Sequence, residues 1–481
     1  MLQIMMMSSI VILLAVVFSR VLYRFGIPTL LIFLLLGMLF GSDGIVGLEF
    51  SNYEAANQLC SVGLIFIMFY GGFGTNWKVA KPVAGKAVLM ATVGVAFTAL
   101  STGVFCTYLL HTSWLEGMLI GSVLASTDAA AVFAVLRSRK LNLKYGLASL
   151  LEVESGSNDP IAYMITVVIL MLISGEAHQP ILLLLLQQVG FGLLVGVSLA
   201  LSTVFVLRRI DLEIDGIYPI FVLGIIILGY AFCQWIDGNG YLCIYMIGII
   251  LGNSKIRHKK SLVHFFDGIS WLMQIMLFFT LGLLSFPSRL PQVGVPGLLI
   301  AVFMIVVARP LATFSVLSWF KIPVKQQLLV SWVGLRGAAS IVFAIYAVTS
   351  SSTVENDIFH IVFLVALISV GLQGTLIPYI AKKLDLVETG ASVFKTFNDY
   401  QDETLTKLLE ITVDEKSPWR DKSIMEANIP EEILVVFLKR GGEVLVPKGS
   451  TCIKSGDVLV LSSNSFDALA LQPEEVRIPP F

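Results

Sequence analysis

LEVESGSNDP, residues 151 to 160, carries Glu152, Glu154 and Asp159 into or beside a run that continues IAYMITVVILMLIS and otherwise reads as membrane-spanning. An ionisable side chain inside a bilayer is expensive, so it faces the interior of a helix bundle or a water-filled cavity and marks an ion or proton path. Glu154 and Asn158 are four residues apart, as are Ser155 and Asp159, so these polar side chains form one stripe on one helical face. Pro160 has no N–H to donate and frees the carbonyl of Gly156.

The rest of the chain supplies a membrane setting for that stripe. Of 481 residues, 56% are hydrophobic and only 14% charged, more apolar than a soluble core of this size needs. Thirteen apolar segments fall at about 2–18, 27–41, 56–73, 87–110, 115–136, 147–174, 180–207, 216–235, 239–252, 266–286, 294–318, 327–349 and 358–380. Most reach the roughly 20 residues that a spanning helix requires; those near 27 and 239 are short. The first segment has no basic start and no small-residue cleavage site, so it reads as an anchoring helix and not a removed signal.

Basic residues, which collect in cytoplasmic loops, test this count. With the N-terminus outside, the inside loops hold Arg20, Arg24, Lys78, Lys81, Lys86, Arg137, Arg139, Lys140, Lys144, Arg208, Arg209, Lys255, Arg257, Lys259, Lys260, Lys321, Lys325, Lys382 and Lys383, nineteen in all. The outside loops hold Arg289 alone, beside Asp43, Glu49, Glu54, Glu116, Glu176, Asp237, Glu355 and Asp357. Thirteen spans, N-terminus out and C-terminus in, follow. Cys60, Cys106, Cys233, Cys243 and Cys452 show no metal spacing and read as small apolar residues.

From Asp385 onward there are 17 acidic and 10 basic residues and no run long enough to span. The sequence divides into a membrane domain over 1–385, a linker over 386–404 and a small α+β cytoplasmic domain over 405–481. Short β-branched runs, LLEITV, ILVVFLKR, EVLVP and DVLVLSS, are separated by turn signals, and one helix is expected near Ser423 to Ala427.

Besides Glu154 and Asp159, two charges lie deep in spans: Asp128 and Arg336. Asp128 sits about 13 residues from the outer end of the fifth span and Asp159 about 13 from the inner end of the sixth. At 1.5 Å per residue both lie roughly 20 Å from their starting surfaces, near the midplane. Thr127, Ser155 and a freed carbonyl add neutral oxygens to anionic ones, a set that suits a hard monovalent cation at Asp128 and Asp159; no His or Cys accompanies them. The fifth span is interrupted by ASTDAAA and the twelfth by GLRGAAS, Gly334 to Ser340, seven spans apart. Interrupted segments at matching places in two halves point to an inverted-repeat transporter. Arg336 needs a counter-charge, and Glu154 is the acid left over, so a Glu154–Arg336 pair fastening the sixth span to the twelfth is expected. Arg309, in VVARPLATF, reads as snorkelling or capping a carbonyl.

STDAAAV, ESGSNDP and GLRGAAS together resemble the cation/proton antiporter-1 family, and LEVESGSNDP looks most like its bacterial NhaP-type potassium(sodium)/proton branch, over about residues 5 to 385. The resemblance implies an all-α NhaA-like antiporter fold with an interface domain and a six-helix core domain, a homodimer in the bacterial inner membrane, and no cofactor. Carried over by match, Thr127, Asp128, Ser155 and Asp159 are ion-site residues, and Asn158 is the polar partner typical of the electroneutral group. One departure stands out: many relatives carry an acid in the third span, where Tyr70 to Gly74 offers none. Residues from about 405 to 470 resemble the TrkA-C domain, which implies a small, nucleotide-like regulatory ligand or a dimer clamp; no G-x-G-x-x-G occurs, and nucleic acid is not an expected partner.

A carboxylate in a low-dielectric site holds its proton more tightly, so a proton competes with K⁺ or Na⁺ for the same oxygens. Exchange needs no covalent chemistry, and no enzyme is expected. An intramembrane aspartyl protease would also use two membrane acids, but Asp128 follows Thr127 and Asp159 follows Asn158, and thirteen spans exceed that fold. A channel gated by the tail is the other alternative; it calls for a repeated carbonyl filter, which the sequence does not show.

Overall fold

The computed structural model describes residues 6, 9–17, 29–139, 141–175, 179–210, 214–256, 258–350, 356–388, 407–415, 417–430, 433–441, 443–463 and 476–477. Arg20, Arg24, Lys140, Glu176, Arg257 and Glu355 of the topology argument, and all of the linker beyond residue 388, lie outside the described residues. The chain separates into two compact units, Met1–Asn398 and Asp399–Phe481.

The first unit is helical: α1 (9–17), α2 (Thr29–Phe40), α3 (Tyr53–Gly74), α4 (Trp77–Leu110), α5 (Trp114–Val123), α6 (Ala129–Ser138), α7 (Leu147–Ser174), α8 (Ile181–Arg209), α9 (Ile217–Trp235), α10 (Gly240–Asn253), α11 (Lys259–Leu284), α12 (Pro287–Phe320), α13 (Val324–Trp332), α14 (Ala338–Ser350) and α15 (Ile358–Lys383). Eight of these, α3, α4, α7, α8, α9, α11, α12 and α15, are long and apolar enough to cross a membrane. Side-chain caps fix several starts: Asn52 accepts from Ala55 N–H at 2.9 Å, Ser113 from Glu116 N–H at 3.2 Å, and Asn239 from Leu242 N–H at 3.0 Å.

α4, α11 and α13 begin earlier than their apolar runs. Lys78, Lys81 and Lys86 therefore stand on α4, and Lys259, Lys260 and Lys325 on α11 and α13, rather than in loops; long basic side chains reach the interface from a helix as readily as from a loop. Three helices loosen into a π turn, at Met90–Gly94, Met304–Ala308 and Ser369–Gly374. Pro310 and Pro378, which cannot donate to Val306 and Gly374, account for the second and third.

Two apolar segments are not continuous helices. The fifth breaks between α5 and α6, and the twelfth between α13 and α14, each across the small-residue tract that the sequence singled out. Backbone left unpaired at such depth is tolerated only where protein or water satisfies it.

The second unit is a five-stranded antiparallel sheet in the order β3-β2-β4-β1-β5, with β1 Lys407–Thr412, β2 Leu434–Arg440, β3 Glu443–Leu445, β4 Val458–Ser463 and β5 Val476–Arg477. Leu409 and Ile411 pair with Leu461 and Leu459, and the alternate residues of these strands pack with Val413, Trp419 and Leu438 in a small core. The helix expected near Ser423 is absent: residues 424–428 form turns, with Glu426 and Ala427 both donating to the Ser423 carbonyl. Five residues before Ile429-Pro430 are too few to propagate a helix, so among the described residues this unit is a sheet without a helix rather than an α+β domain.

Candidate ion-binding site

The break in the fifth segment creates the site. α5 ends at Val123, the chain runs non-helical through Ser126 and Thr127, and Asp128 starts α6 as its N-cap, its Oδ1 accepting from Ala130 N–H at 2.8 Å and Ala131 N–H at 3.3 Å. A carboxylate there meets both the unpaired N–H groups and the positive end of the helix dipole. The second break crosses the first: Asp128 N–H donates to the Leu335 carbonyl at 2.8 Å.

The sequence of the twelfth segment explains how close that crossing can be. A Cβ on Gly337 would stand 2.1 Å from Asp128 Oδ2, and one on Gly334 would stand 2.5 Å from Arg309 Nε. The glycines of GLRG thus leave room for the side chains of the site.

α7 presents its polar stripe to the broken strand. Ser155 Oγ donates to the Thr127 carbonyl at 2.6 Å, Asn158 Nδ2 donates to Thr127 Oγ1, and Thr127 N–H donates to Asn158 Oδ1 at 3.3 Å. Ser126 Oγ donates to Asp159 Oδ1. Asn158 is fully buried, and Ser126, Thr127 and Ser155 are buried too, whereas Asp128 and Asp159 both keep partial exposure.

The expected Glu154–Arg336 pair is corrected. Glu154 Oε1 is bound by Arg309 Nη2 at 2.5 Å, with side-chain exposures of 1% and 3%. Arg336 instead donates through Nη1 to the carbonyls of Ala125 at 2.8 Å and Ser126 at 2.9 Å, and its N–H donates to Ser369 Oγ at 3.0 Å. Unwinding at residues 333–337 brings Arg336 to the free carbonyls beyond α5, where a helix end offers partial negative charge. Arg309 follows the π turn of α12, lies along Gly334, and reaches α7; it neither snorkels nor caps a carbonyl.

Asp128, Thr127, Ser155, Asn158 and Asp159 come together as the sequence anticipated, and Glu154 and Arg336 lie beside them with different partners. Sequence reasoning missed Arg309 and Ser126. The signal for Ser126 was its place in ASTD, one residue from Thr127; the signal for Arg309 was a charge within an apolar run followed by Pro310, which a snorkelling reading absorbed.

Residues 9–383 match the family described as sodium/hydrogen exchanger, transmembrane, and residues 408–473 match the TrkA-C domain. The K(+)/H(+) antiporter NhaP of Alkalimonas amylolytica is 34% identical over 459 residues, covering 94% of this chain and 80% of that protein. The K(+)/H(+) antiporter NhaP2 of Shewanella sp. (strain ANA-3) is 33% identical over 480 residues, covering 97% and 83%. Among solved structures, the sodium proton antiporter MjNhaP1 from Methanocaldococcus jannaschii aligns with a TM-score of 0.70 at 25% identity, over 80% of this chain and 99% of that one.

Proposed function

The chain belongs to the sodium/hydrogen exchanger family, and from that premise we propose that it exchanges K⁺ for H⁺, one for one, at Asp128 and Asp159. It is a multi-pass membrane antiporter of a monovalent cation against protons, not an enzyme, and it carries a TrkA-C domain. The observation that carries the site is the crossing of two broken segments, with Asp128 capping α6 and Ser126 turned to Asp159. Asp159 and Asp128 supply the anionic oxygens, and Thr127, Ser155 and Asn158 hold the strand that presents them.

Potassium is favoured over sodium because the relatives matched at 33% and 34% identity across nearly the whole chain are named for K⁺, and because α3 offers no acid between Tyr70 and Gly74. Electroneutrality follows from two residues. Asn158 cannot titrate, and Arg336, as a guanidinium, keeps its charge through the cycle.

The scaffold fits thirteen crossings in two inverted repeats. The broken segments are seven apart in the sequence of spans, and so are the π turns of α4 and α12, which supports matching halves. In this reading residues 1–385 form the membrane domain of a homodimer in the bacterial inner membrane, N-terminus out and C-terminus in. Residues 386–404 are a linker, and 405–481 bind a small regulatory ligand.

Reconstituted protein tests the reading. Adding K⁺, Na⁺, Rb⁺ or Li⁺ in turn should dissipate an imposed pH gradient most strongly with K⁺, at a rate indifferent to membrane potential. Cation flux without proton counterflow would replace the exchanger with a channel. A rate that responds strongly to potential would show a second charge moving.

A further inference from the structure

One acid of the opening stretch has no part in the site described. Glu152 lies on α7 seven residues before Asp159, about 10 Å along the helix, toward the end that follows Arg137 and Lys144. Between residues 151 and 160 the partly exposed positions are 152, 156, 157 and 159. Positions 152, 156 and 159 share one face, so an accessible stripe runs from Glu152 to Asp159.

Midway along the stripe stands a buried hydroxyl. Tyr245, on α10, is 2% exposed; its Oη meets no partner at full hydrogen-bond geometry among the described residues, and the hydroxyls of Ser157 and Thr75 are its neighbours. It is aimed at the stripe: a Cβ on Gly156 would lie 2.7 Å from Oη, so only glycine lets the ring rest on α7 there. Thr75 and Arg137 are near Glu152, and Tyr245 stands near both Glu152 and Asp159. A buried hydroxyl gains from a well-aligned partner, and a hydrated cation or a water passing between two carboxylates is a partner of the right chemistry.

We propose that Glu152 is a positioning carboxylate at the mouth of the ion path, and that the Tyr245 hydroxyl hands a monovalent cation or its water between Glu152 and Asp159. This rests on the exchange reading above and deepens it. Glu152 raises the local cation concentration on the side of the Arg137–Lys144 loop and makes none of the midplane contacts. Tyr245 Oη supplies a neutral oxygen where the cation has shed part of its water.

The test is exchange in vesicles of both orientations, at low ionic strength, with K⁺ added to one face at a time. E152Q should raise the apparent KM for K⁺ about fivefold on the loop-side face only, with kcat within about twofold, a size in keeping with electrostatic focusing at a confined mouth. E152D should restore most of the affinity, and Y245F should raise the same KM. High salt should shrink the E152Q effect. An unaltered KM in E152Q, an equal rise from both faces, or a fall in kcat alone would overturn the proposal. Should E152Q fail to fold, a Y245F protein without the one-sided KM rise would overturn it as well. A wild-type protein that moves no protons with any cation refutes the exchange reading itself, whereas a working wild type with a normal E152Q refutes only this inference.

Discussion

Replacing Arg309 separates the observed ion pair from the one expected of the sequence. Arg309 and Glu154 meet at 2.5 Å with side-chain exposures of 3% and 1%, so R309Q strands a carboxylate in a medium that solvates it poorly. Breaking a buried pair in this way costs about 3 to 5 kcal/mol. Glu154 Oε2 and Arg309 Nε have no hydrogen-bond partner among the described residues; the pair is joined by a single hydrogen bond, and we expect the lower end, about 3 kcal/mol. E154Q should cost a similar amount by stranding the guanidinium. E154Q/R309Q leaves two neutral side chains and should recover about 2 kcal/mol of the summed loss, a coupling typical of residues in contact. E154Q/R336Q should recover nothing, because Arg336 is held by the carbonyls of Ala125 and Ser126. The assay is thermal unfolding of the full chain in detergent, followed by the fraction that still elutes as a monodisperse peak after heating. Simple addition of the two single losses in E154Q/R309Q, or recovery in E154Q/R336Q, would refute the reasoning.

Three further outcomes are expected. D128N and D159N should each abolish cation-dependent proton movement while elution and yield stay near wild type; robust exchange in either removes that acid from the mechanism. G337A places a methyl 2.1 Å from Asp128 Oδ2 and should cut the exchange rate by about tenfold or more, since displacing a reacting group by an ångström is that costly; full activity would mean that the crossing has slack. In the second unit, burial alone would push the Asp457 carboxyl up, but Arg440, at 2.6 and 2.8 Å, and the Lys454 N–H hold it below the usual carboxylate range. Its contribution is therefore complete above about pH 4 and is lost as pH falls through the lowered value. D457N should destabilise the unit by about 2 kcal/mol at neutral pH, Arg440 being partly solvated, and the difference should vanish in acid; limited proteolysis of the full chain across pH measures both.

What the sequence revealed, and what it hid, follows from the range of each interaction. The breaks at ASTDAAA and GLRGAAS were legible because small residues within a bulky apolar run are a local signal, and the stripe on α7 because four-residue spacing is a property of one helix. The partner of Glu154 was not legible. Arg309 and Arg336 are both intramembrane cations, and which of them reaches Glu154 depends on a π turn and an unwound strand that set direction, not depth. The same holds for the hydroxyls: Ser126 and Thr127 are adjacent in the break beyond α5, and only the crossing decides that Ser126 meets Asp159 while Thr127 meets Asn158. The turn at Ser423 was misread for a plainer reason, since a run of five residues carries too little periodicity to tell a turn from a helix.

The corrected pairing also sharpens the case for one-for-one exchange. Among the described residues the midplane cluster holds two fixed cations, Arg309 and Arg336, and three carboxylates, Glu154, Asp128 and Asp159. Had Glu154 been paired with Arg336, Arg309 would stand apart, and its charge would count toward the surface and not toward the site. With both guanidinium groups buried at 2% exposure, the cluster with all acids ionised carries one net negative charge, and Glu152 lies outside it near Arg137. One K⁺ or one H⁺ brings the cluster to neutrality, and a bare cluster keeps a charge that is expensive to move through hydrocarbon. Under the proposed exchange the cluster reorients when loaded with either partner and not when empty, which is the condition for obligatory exchange. Substituting Asn158 by Asp adds a fourth carboxylate in contact with Thr127. By the same rule N158D should need two monovalent charges to reach neutrality before it reorients, so exchange should stay without sustained current on a solid-supported membrane while one more proton is bound per cycle. Sustained current from an N158D protein would show that neutrality of the cluster does not govern the stoichiometry.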